Sequence, residues 1–128
     1  MCDILNRIDT FEAAVARQDR EALKECFVPS AVIRWPNTNE EFDLKDYLTA
    51  NCDYPGDWQG QVERVEQTER GAVAVARIWA GDGSASLHVI SFFRFGEEGK
   101  IIELTEYYSD DGPVPQWRQT LGLGRTIP

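Results

Sequence analysis

The sequence has few of the residues that build metal sites or disulfide frameworks. Among its 128 residues there are one histidine and three cysteines. Cys2, Cys26 and Cys52 lie far apart and form no Cys-x-x-Cys pair, which argues against a disulfide framework or a zinc ribbon. The single histidine, His88, belongs to no metal-binding helical motif. We therefore expect no metal site and no cofactor.

The sequence also lacks an excess of positive charge and any long apolar run. Thirteen Lys and Arg residues stand against 22 Asp and Glu residues, and the net charge is -9. This charge disfavours nucleic acids and anionic membrane surfaces as partners. No apolar run approaches the ~20 residues of a membrane-spanning helix, and the first residues lack a signal-peptide pattern. We expect a cytoplasmic protein with neither partner.

The residues that are present predict one globular domain. Hydrophobic residues make up 42% of the chain and aromatic residues 11%, which suits a single core at this length. We place the domain at residues 1–118. Residues 119–128, which include Gly122 and Gly124, are expected to form a C-terminal tail.

The first half of the chain is mainly helical in pattern. Asp3 is the expected N-cap of a first helix, whose apolar residues recur at helical spacing: Ile4, Ile8, Phe11 and Val15. A short helix is predicted over 19–26 and a short strand over 31–35. Asp43 is the expected N-cap of a third helix.

The second half has the pattern of a β meander. Strands are predicted over 59–68, 72–79, 84–95 and 100–108, separated by short glycine-containing turns. Consecutive hairpins give antiparallel pairing. Helices followed by a sheet indicate an α+β fold in which the helices cover one sheet face.

Three stretches resemble one known superfamily. They are Ala16-Arg17-Gln18-Asp19 with Ala22-Leu23; Phe27 to Val32 leading into Trp35-Pro36; and Val89 to Phe95 with the following turn, Lys100-Ile101-Ile102 and Tyr107-Tyr108-Ser109-Asp110. The chain thus resembles the nuclear transport factor 2-like superfamily, also called SnoaL-like or ketosteroid-isomerase-like. The resemblance implies a cystatin-like, cone-shaped roll: helices on a strongly curved, mixed, mostly antiparallel sheet around an apolar cavity. It does not define a reaction, since the fold hosts isomerases, cyclases, dehydratases, hydrolases and non-catalytic binders.

The isomerase branch of this superfamily uses a tyrosine, a base and an acid at three positions. By resemblance these positions fall on Phe11, Trp35 and Ser91. Neither a base nor a strong donor for an enolate oxygen stands there, which argues against steroid isomerisation.

Strand alternation predicts which side chains point inward. If Ser91 points inward, the inward set is Leu87, Val89, Phe93, Ala72, Ala74, Ala76, Ile78, Ile102, Leu104, Glu106 and Tyr108. The three alanines indicate either an open cavity or close packing of the helices.

Glu106 is the candidate catalytic residue. Burial among apolar side chains would raise its pKa and suit it to general acid or base chemistry. Tyr108 and Ser91 could orient a ligand or Glu106 itself. The alternative places Glu106 at the wide mouth, wet and paired with an arginine.

Aromatic residues dominate the candidate ligand site. We expect Trp35 and Trp58 near the cavity mouth, and Trp117, which follows a Pro-Val-Pro segment, on a lid; the alternative is ordinary core packing. The candidate ligand-binding residues are Phe11, Trp35, Tyr47, Trp58, Ser91, Leu104, Tyr108 and Trp117.

The opposite sheet face is too apolar for a solvated surface. Because relatives commonly pair through this face, the resemblance implies a homodimer. The expected interface residues are Val75, Arg77, Trp79, His88, Ile90, Phe92 and Tyr107.

Three functions remain open from the sequence. The first is binding of a small hydrophobic molecule in the cavity. The second is a cofactor-free enzyme that moves a proton with Glu106, of the isomerase, cyclase or dehydratase type. The third is a non-catalytic protein-interaction module.

Overall fold

The computed structural model describes residues 2–128, with side chains from residue 3 onward. Its helices are α1 (Cys2–Arg17), α2 (Arg20–Glu25), α3 (Leu44–Cys52) and α4 (Gln116–Leu121). Its strands are β1 (Phe27–Trp35), β2 (Glu40–Phe42), β3 (Trp58–Gln67), β4 (Gly71–Ala80), β5 (Ser86–Phe95) and β6 (Ile101–Asp110). Helices that precede one sheet confirm the predicted α+β class.

The six strands form one mixed sheet in the order β2-β1-β6-β5-β4-β3. The last four strands pair antiparallel with their sequence neighbours, as the glycine turns predicted. β1 lies parallel to β6, and β2 pairs antiparallel with β1. The parallel pair brings the end of β1 beside the middle of β6, where the candidate site lies.

Of the two predicted helix caps, Asp43 is confirmed and Asp3 is not, and Asp19 also caps a helix, α2. The Asp19 side chain accepts a hydrogen bond from the Ala22 backbone N–H at 3.2 Å, and Asp43 accepts one from Asp46 N–H at 2.8 Å. Asp3 is not a cap, because α1 begins at Cys2 and Asp3 lies within its first turn. Its negative charge still suits the positive end of the helix dipole.

The first strand is longer than predicted. β1 begins at Phe27 rather than at residue 31, and its pairing with β6 is irregular between Phe27 and Val32. Pro29 lies in this irregular part, where a missing N–H donor is tolerated. The short edge strand β2 was not predicted, nor was α4, which crosses the expected boundary between domain and tail.

The helices bury one face of the sheet. Phe11 of α1 packs edge-on against Phe27 of β1 and Phe93 of β5, at centroid distances of 6.0 and 5.1 Å. The predicted alternation is confirmed at the positions that form the core face: Ala72, Ala74, Ala76, Val89, Ser91, Phe93, Leu104 and Glu106 are all buried.

The alternation fails at the start of β6. Ile101 is buried and Ile102 is only half-buried, so the predicted inward position of Ile102 is wrong. The pairing of β5 with β6 shifts register between Arg94 and Phe95. A one-residue irregularity exchanges the two faces of a strand, so the residue before the expected one faces the core.

Candidate functional site

A pocket of about 410 Å³ opens at the C-terminal ends of α1 and α3. Residues from both helix ends, from the segment after β1 and from five strands line it: Val15, Gln18, Trp35, Asn37, Thr38, Ala50, Asn51, Tyr54, Trp58, Ile78, Leu87 and Tyr108. None of these lining residues is charged. The wall is therefore built from apolar and aromatic surface with a few amide and hydroxyl groups.

Polar side chains at the mouth hold the two helix ends together. The Gln18 amide donates hydrogen bonds to the carbonyl oxygens of Asn51 (2.9 Å) and Tyr54 (2.6 Å), and the Asn51 amide donates to the Val15 carbonyl (3.4 Å). Asn51 lies in the last turn of α3, where carbonyls lack intrahelical partners, so the Gln18 bond satisfies one of them. The two amides therefore brace the pocket.

Ile78 is the residue of β4 that lines the pocket. Ala72 and Ala74, earlier on the same strand, belong instead to the core cluster under the helices. The alanines of β4 thus allow the helices to pack closely, which was one of the two interpretations of these small residues. The pocket lies further along the strand.

Glu106 lies behind the pocket wall and is 2% exposed. Its Oε2 accepts a hydrogen bond from Ser91 Oγ at 2.7 Å, and its Oε1 accepts from Trp35 Nε1 and Tyr108 Oη, both at 3.2 Å. Ser91 is its direct cross-strand partner. The alternative of a wet Glu106 paired with an arginine is wrong.

Burial raises the pKa of Glu106 above its ordinary value. The three hydrogen bonds from Ser91, Trp35 and Tyr108 act in the opposite direction, because they favour the ionised carboxylate. Burial is the larger effect, since apolar surroundings disfavour the charged form and no cationic side chain in the described part of the chain compensates for it.

Trp35 and Tyr108 connect this carboxyl to the pocket. Both line the pocket, and their rings pack edge-on at 5.5 Å. Trp35 also packs against Phe42 and Tyr47, which fixes its indole N–H towards Glu106. A molecule in the pocket would therefore touch the donors of Glu106 rather than Glu106 itself.

A second buried carboxyl, Glu12 of α1, was missed by the sequence analysis. It is 6% exposed, and its Oε2 has no hydrogen-bond partner among residues 2–128. Burial, followed by the nearby charges of Glu106 and Asp9, raises the pKa of Glu12 to about 8. Its position four residues after Ile8 and three before Val15 was the available signal, because that spacing lies on the apolar stripe.

Tyr47 of α3 completes this inner group. It is 1% exposed, and its hydroxyl also has no partner in the described part of the chain. Burial raises its pKa well above the ordinary value, and the nearby Glu106, Tyr108 and Glu12 add to the shift. Two carboxyls and two phenols thus share one buried region.

The structure divides the predicted ligand-binding residues into groups. Trp35, Trp58 and Tyr108 line the pocket. Ser91 lies behind it as a donor to Glu106. Three others are core residues: Phe11, Tyr47 and Leu104.

Trp117 is not placed as a lid. It is 61% exposed on α4 and is not among the residues that line the pocket. The Arg118 guanidinium lies 5.4 Å from the centre of its ring. The Pro-Val-Pro segment therefore does not bring this tryptophan over the opening.

The described residues contain neither a metal-binding cluster nor a membrane-spanning helix. No group of three or more His, Cys, Asp or Glu side chains in residues 3–128 could hold a metal ion. No helix within that range is long and apolar enough to cross a bilayer.

The sequence profile of the SnoaL-like domain matches residues 8–104. Because the match covers most of the chain, the chain belongs to the SnoaL-like domain family. Comparison with curated protein sequences gave no match.

Solved structures agree with this membership. A candidate ketosteroid isomerase from Kribbella flavida superposes with a TM-score of 0.79 at 20% identity, over 98% of this chain and 91% of the other. An NTF-2 like protein of unknown function from Burkholderia xenovorans gives 0.74 at 19% identity, over 98% and 96%. An LEH-like epoxide hydrolase from M. tuberculosis gives 0.67 at 12% identity, over 84% of each chain. At these identities the likeness establishes the fold, which is NTF2-like.

Proposed function

We propose that the chain binds a small, largely apolar molecule in the pocket between the ends of α1 and α3. The observation that carries this proposal is an uncharged pocket of about 410 Å³ faced by Trp35, Trp58 and Tyr108. Concave apolar sites with a few polar groups are the usual form of small-molecule sites. Flat aromatic side chains provide much contact area with little loss of rotamer freedom.

Binding of a neutral fluorescent probe, N-phenyl-1-naphthylamine, tests the proposal. Ala50 lines the pocket and Ala13 lies exposed on α1, so Ala50→Phe and Ala13→Phe add the same group inside and outside the site. Ala50→Phe should weaken binding by at least about tenfold, the equivalent of 1.4 kcal/mol. The Ala13→Phe control should bind as the natural chain does. Equal binding by all three proteins would contradict the proposal.

A second candidate function is cofactor-free proton transfer. It is favoured by one specific feature: the Tyr108 hydroxyl, on a pocket-lining residue, is hydrogen-bonded to a buried carboxyl with a raised pKa. A proton could pass between a bound molecule and Glu106 through that hydroxyl. Tyr108 would touch the substrate, and Glu106 would hold the proton. Among proteins of the same fold, one is an epoxide hydrolase and another a candidate isomerase by their descriptions.

Deuterium exchange into 2-tetralone separates this candidate from simple binding. The ketone carries acidic C–H groups, and their exchange in D2O is followed by proton NMR. An enzyme should accelerate exchange, and both Tyr108→Phe and Glu106→Gln should remove the acceleration. Exchange at the buffer rate with a ketone that demonstrably binds would exclude general acid or base chemistry on such carbonyl compounds.

We also propose that the outward sheet face pairs two copies of the chain. Ile90, Phe92 and Tyr107 are each between 41% and 47% exposed, and they lie on adjacent strands. The Arg77 guanidinium lies 4.6 Å from the ring centre of Trp79, so this face also contains a cation–aromatic contact. An exposed apolar patch of this kind marks an interaction surface.

Sedimentation tests the pairing. The natural chain should sediment as a dimer, whereas Phe92→Glu and Trp79→Glu should sediment as monomers because they place a charge in the interface. Val114→Glu adds the same charge at an exposed position outside the outward sheet face and should remain dimeric. Dimeric Phe92→Glu protein, or a monomeric natural chain, would contradict the proposal.

A further inference from the structure

We propose that Glu12 and Tyr47 form an inner polar subsite that receives the ammonium group of a primary amine, whose apolar body occupies the aromatic pocket. The inference rests on the proposed function, because it identifies the chemical class of the molecule that the pocket binds. Two features favour a cation beside Glu12 and Tyr47, and two more favour cations in the adjoining pocket.

The first feature is the pair of unpartnered polar atoms. Glu12 Oε2 and Tyr47 Oη are both more than nine-tenths buried and form no hydrogen bond within the described chain. Leaving such atoms without a partner destabilises a folded protein by about 1–3 kcal/mol each. A primary ammonium carries three N–H donors and can satisfy both oxygens at once.

The second feature is where these atoms lie. Glu12 precedes the pocket residue Val15 by one helical turn on α1, and Tyr47 precedes the pocket residue Ala50 by one turn on α3. A turn advances about 5 Å. Neither Glu12 nor Tyr47 lines the pocket itself, so the subsite lies one helical turn from Val15 and Ala50, which do, and an aminomethyl group must extend past those residues to reach it.

The third feature is the polarity of the two helices around the pocket. Both α1 and α3 point their C-terminal ends at it, and the C-terminal end of a helix carries partial negative charge. Cations are stabilised there and anions are not. No lysine or arginine is among the lining residues to offset this potential.

The fourth feature is the aromatic lining beneath an acidic protein surface. Trp35, Trp58, Tyr54 and Tyr108 line the pocket. Aromatic faces attract ammonium groups through the ring quadrupole. The net charge of -9 also draws cations towards the molecule.

Binding of a cation should be coupled to proton release. The titratable groups that influence Glu12 are Asp9 on its own helix and Glu106 on β6, and Glu12 in turn acts on Tyr47 of α3 and Tyr108 of β6. Burial, followed by the charges of Glu106 and Asp9, raises the pKa of Glu12 to about 8, and the phenols remain neutral, so the free site holds a protonated Glu12 near neutral pH. An ammonium ion favours the ionised form, and its affinity should therefore rise with pH until Glu12 is ionised in the free chain.

Two compounds of one shape test the inference by calorimetry: 1-naphthylmethylamine and 1-naphthalenemethanol. The natural chain should bind the amine at least about tenfold more tightly than the alcohol at pH 7.5. Between pH 6 and 8 the amine affinity should rise by up to about tenfold per pH unit, and the alcohol affinity should not change.

Three substitutions locate the effect. Glu12→Gln should lower the amine affinity at least about tenfold, remove its pH dependence and leave the alcohol affinity unchanged. Tyr47→Phe should weaken the amine alone, by a smaller factor. Glu21→Gln removes one charge from an exposed position of α2 and should change neither compound.

The outcomes distinguish this inference from the function on which it rests. Equal affinity for amine and alcohol, or an amine preference that survives Glu12→Gln, would overturn the subsite and leave the apolar pocket standing. Failure of both compounds to bind would overturn the pocket proposal and the subsite together.

Discussion

Glu106 and Glu12 are two carboxyls buried in the same region with opposite surroundings. Glu106 of β6 accepts hydrogen bonds from Ser91, Trp35 and Tyr108. Glu12 of α1 keeps an oxygen without a partner in the described chain. Burial raises the pKa of both. Both oxygens of Glu106 accept hydrogen bonds within the chain, whereas Glu12 Oε2 accepts none in its described part. Burial alone therefore does not distinguish a carboxyl that stabilises the fold from one that is free to bind a ligand.

The hydroxyls of Tyr108 and Tyr47 repeat the contrast. The Tyr108 hydroxyl donates to Glu106 at 3.2 Å, and the Tyr47 hydroxyl has no partner among the described residues. One carboxyl and one phenol are thus joined by hydrogen bonds inside the fold. The other carboxyl and the other phenol form the proposed subsite.

Glu106→Ala should produce the largest effect. It leaves the buried Ser91 hydroxyl and the part-buried donors of Trp35 and Tyr108 without an acceptor and creates a cavity, and we expect a loss of about 3–5 kcal/mol in the free energy of unfolding. Glu106→Gln keeps an acceptor and should fold with a change below about 1.5 kcal/mol. Urea unfolding measures both. If the Glu106→Ala protein were no less stable than the Glu106→Gln protein, the hydrogen bonds from the three donors to residue 106 would not stabilise the fold.

Glu12→Leu should change stability in the opposite direction. Replacing a buried, incompletely bonded carboxyl by an apolar side chain should raise the free energy of unfolding by about 1–3 kcal/mol at pH 7. Glu21→Leu, at an exposed helical position, should stay within about 0.5 kcal/mol of the natural chain. Destabilisation by Glu12→Leu would mean that Glu12 serves the fold as Glu106 does. We expect the Glu12→Leu protein to be more stable than the natural chain and to lose amine binding, because groups that bind ligands often reduce the stability of the fold.

The pH dependence of stability should distinguish the two carboxyls more finely. The folded chain raises the pKa of Glu12 from 4.5 to about 8, so the folded state holds a proton that the unfolded state releases. Its contribution is fully present below pH 4.5 and is lost as the pH rises towards 8, with a limiting slope of about 1.4 kcal/mol per pH unit. Between pH 5 and 8 the free energy of unfolding of the natural chain should fall as the pH rises, and that of the Glu12→Gln protein should fall less. Parallel curves would contradict the assignment.

The tyrosines should give the smallest difference. Tyr108→Phe removes a hydrogen bond to a carboxyl and should lower the free energy of unfolding by about 1 kcal/mol or slightly more. Tyr47→Phe removes a hydroxyl without a partner and should be neutral or slightly stabilising. Thermal melts of both variants provide the measurement, and equal losses would show that the Tyr47 hydroxyl has a partner in solution.

The strand half of the site was predictable from the sequence. Side chains in a strand point to one of two faces, and the pairing of neighbouring strands sets which residues share a face. Alternation therefore placed Ser91, Leu104 and Glu106 on one face. The same rule failed at Ile102, where a register shift in the hairpin changes the face. Such shifts depend on local pairing and leave no clear pattern in the sequence.

The helical half was harder to predict. Glu12 lies at the border of the apolar stripe of α1, and a glutamate there reads equally well as a solvated residue. Its burial depends on how α1 packs against the sheet, which is a tertiary relation. The exposed position of Trp117 has a similar origin, since the path of the chain after β6 is not set by any periodic pattern.

The most direct test is an NMR titration of the glutamate carboxyl carbons, with the Glu12 signal assigned by its absence from Glu12→Gln protein. Glu12 in the free natural chain should titrate near pH 8, and saturating 1-naphthylmethylamine should move this midpoint down. A midpoint near the ordinary value of 4.5 in the free chain would show that Glu12 is solvated or already paired, and it would contradict the distinction between the two carboxyls.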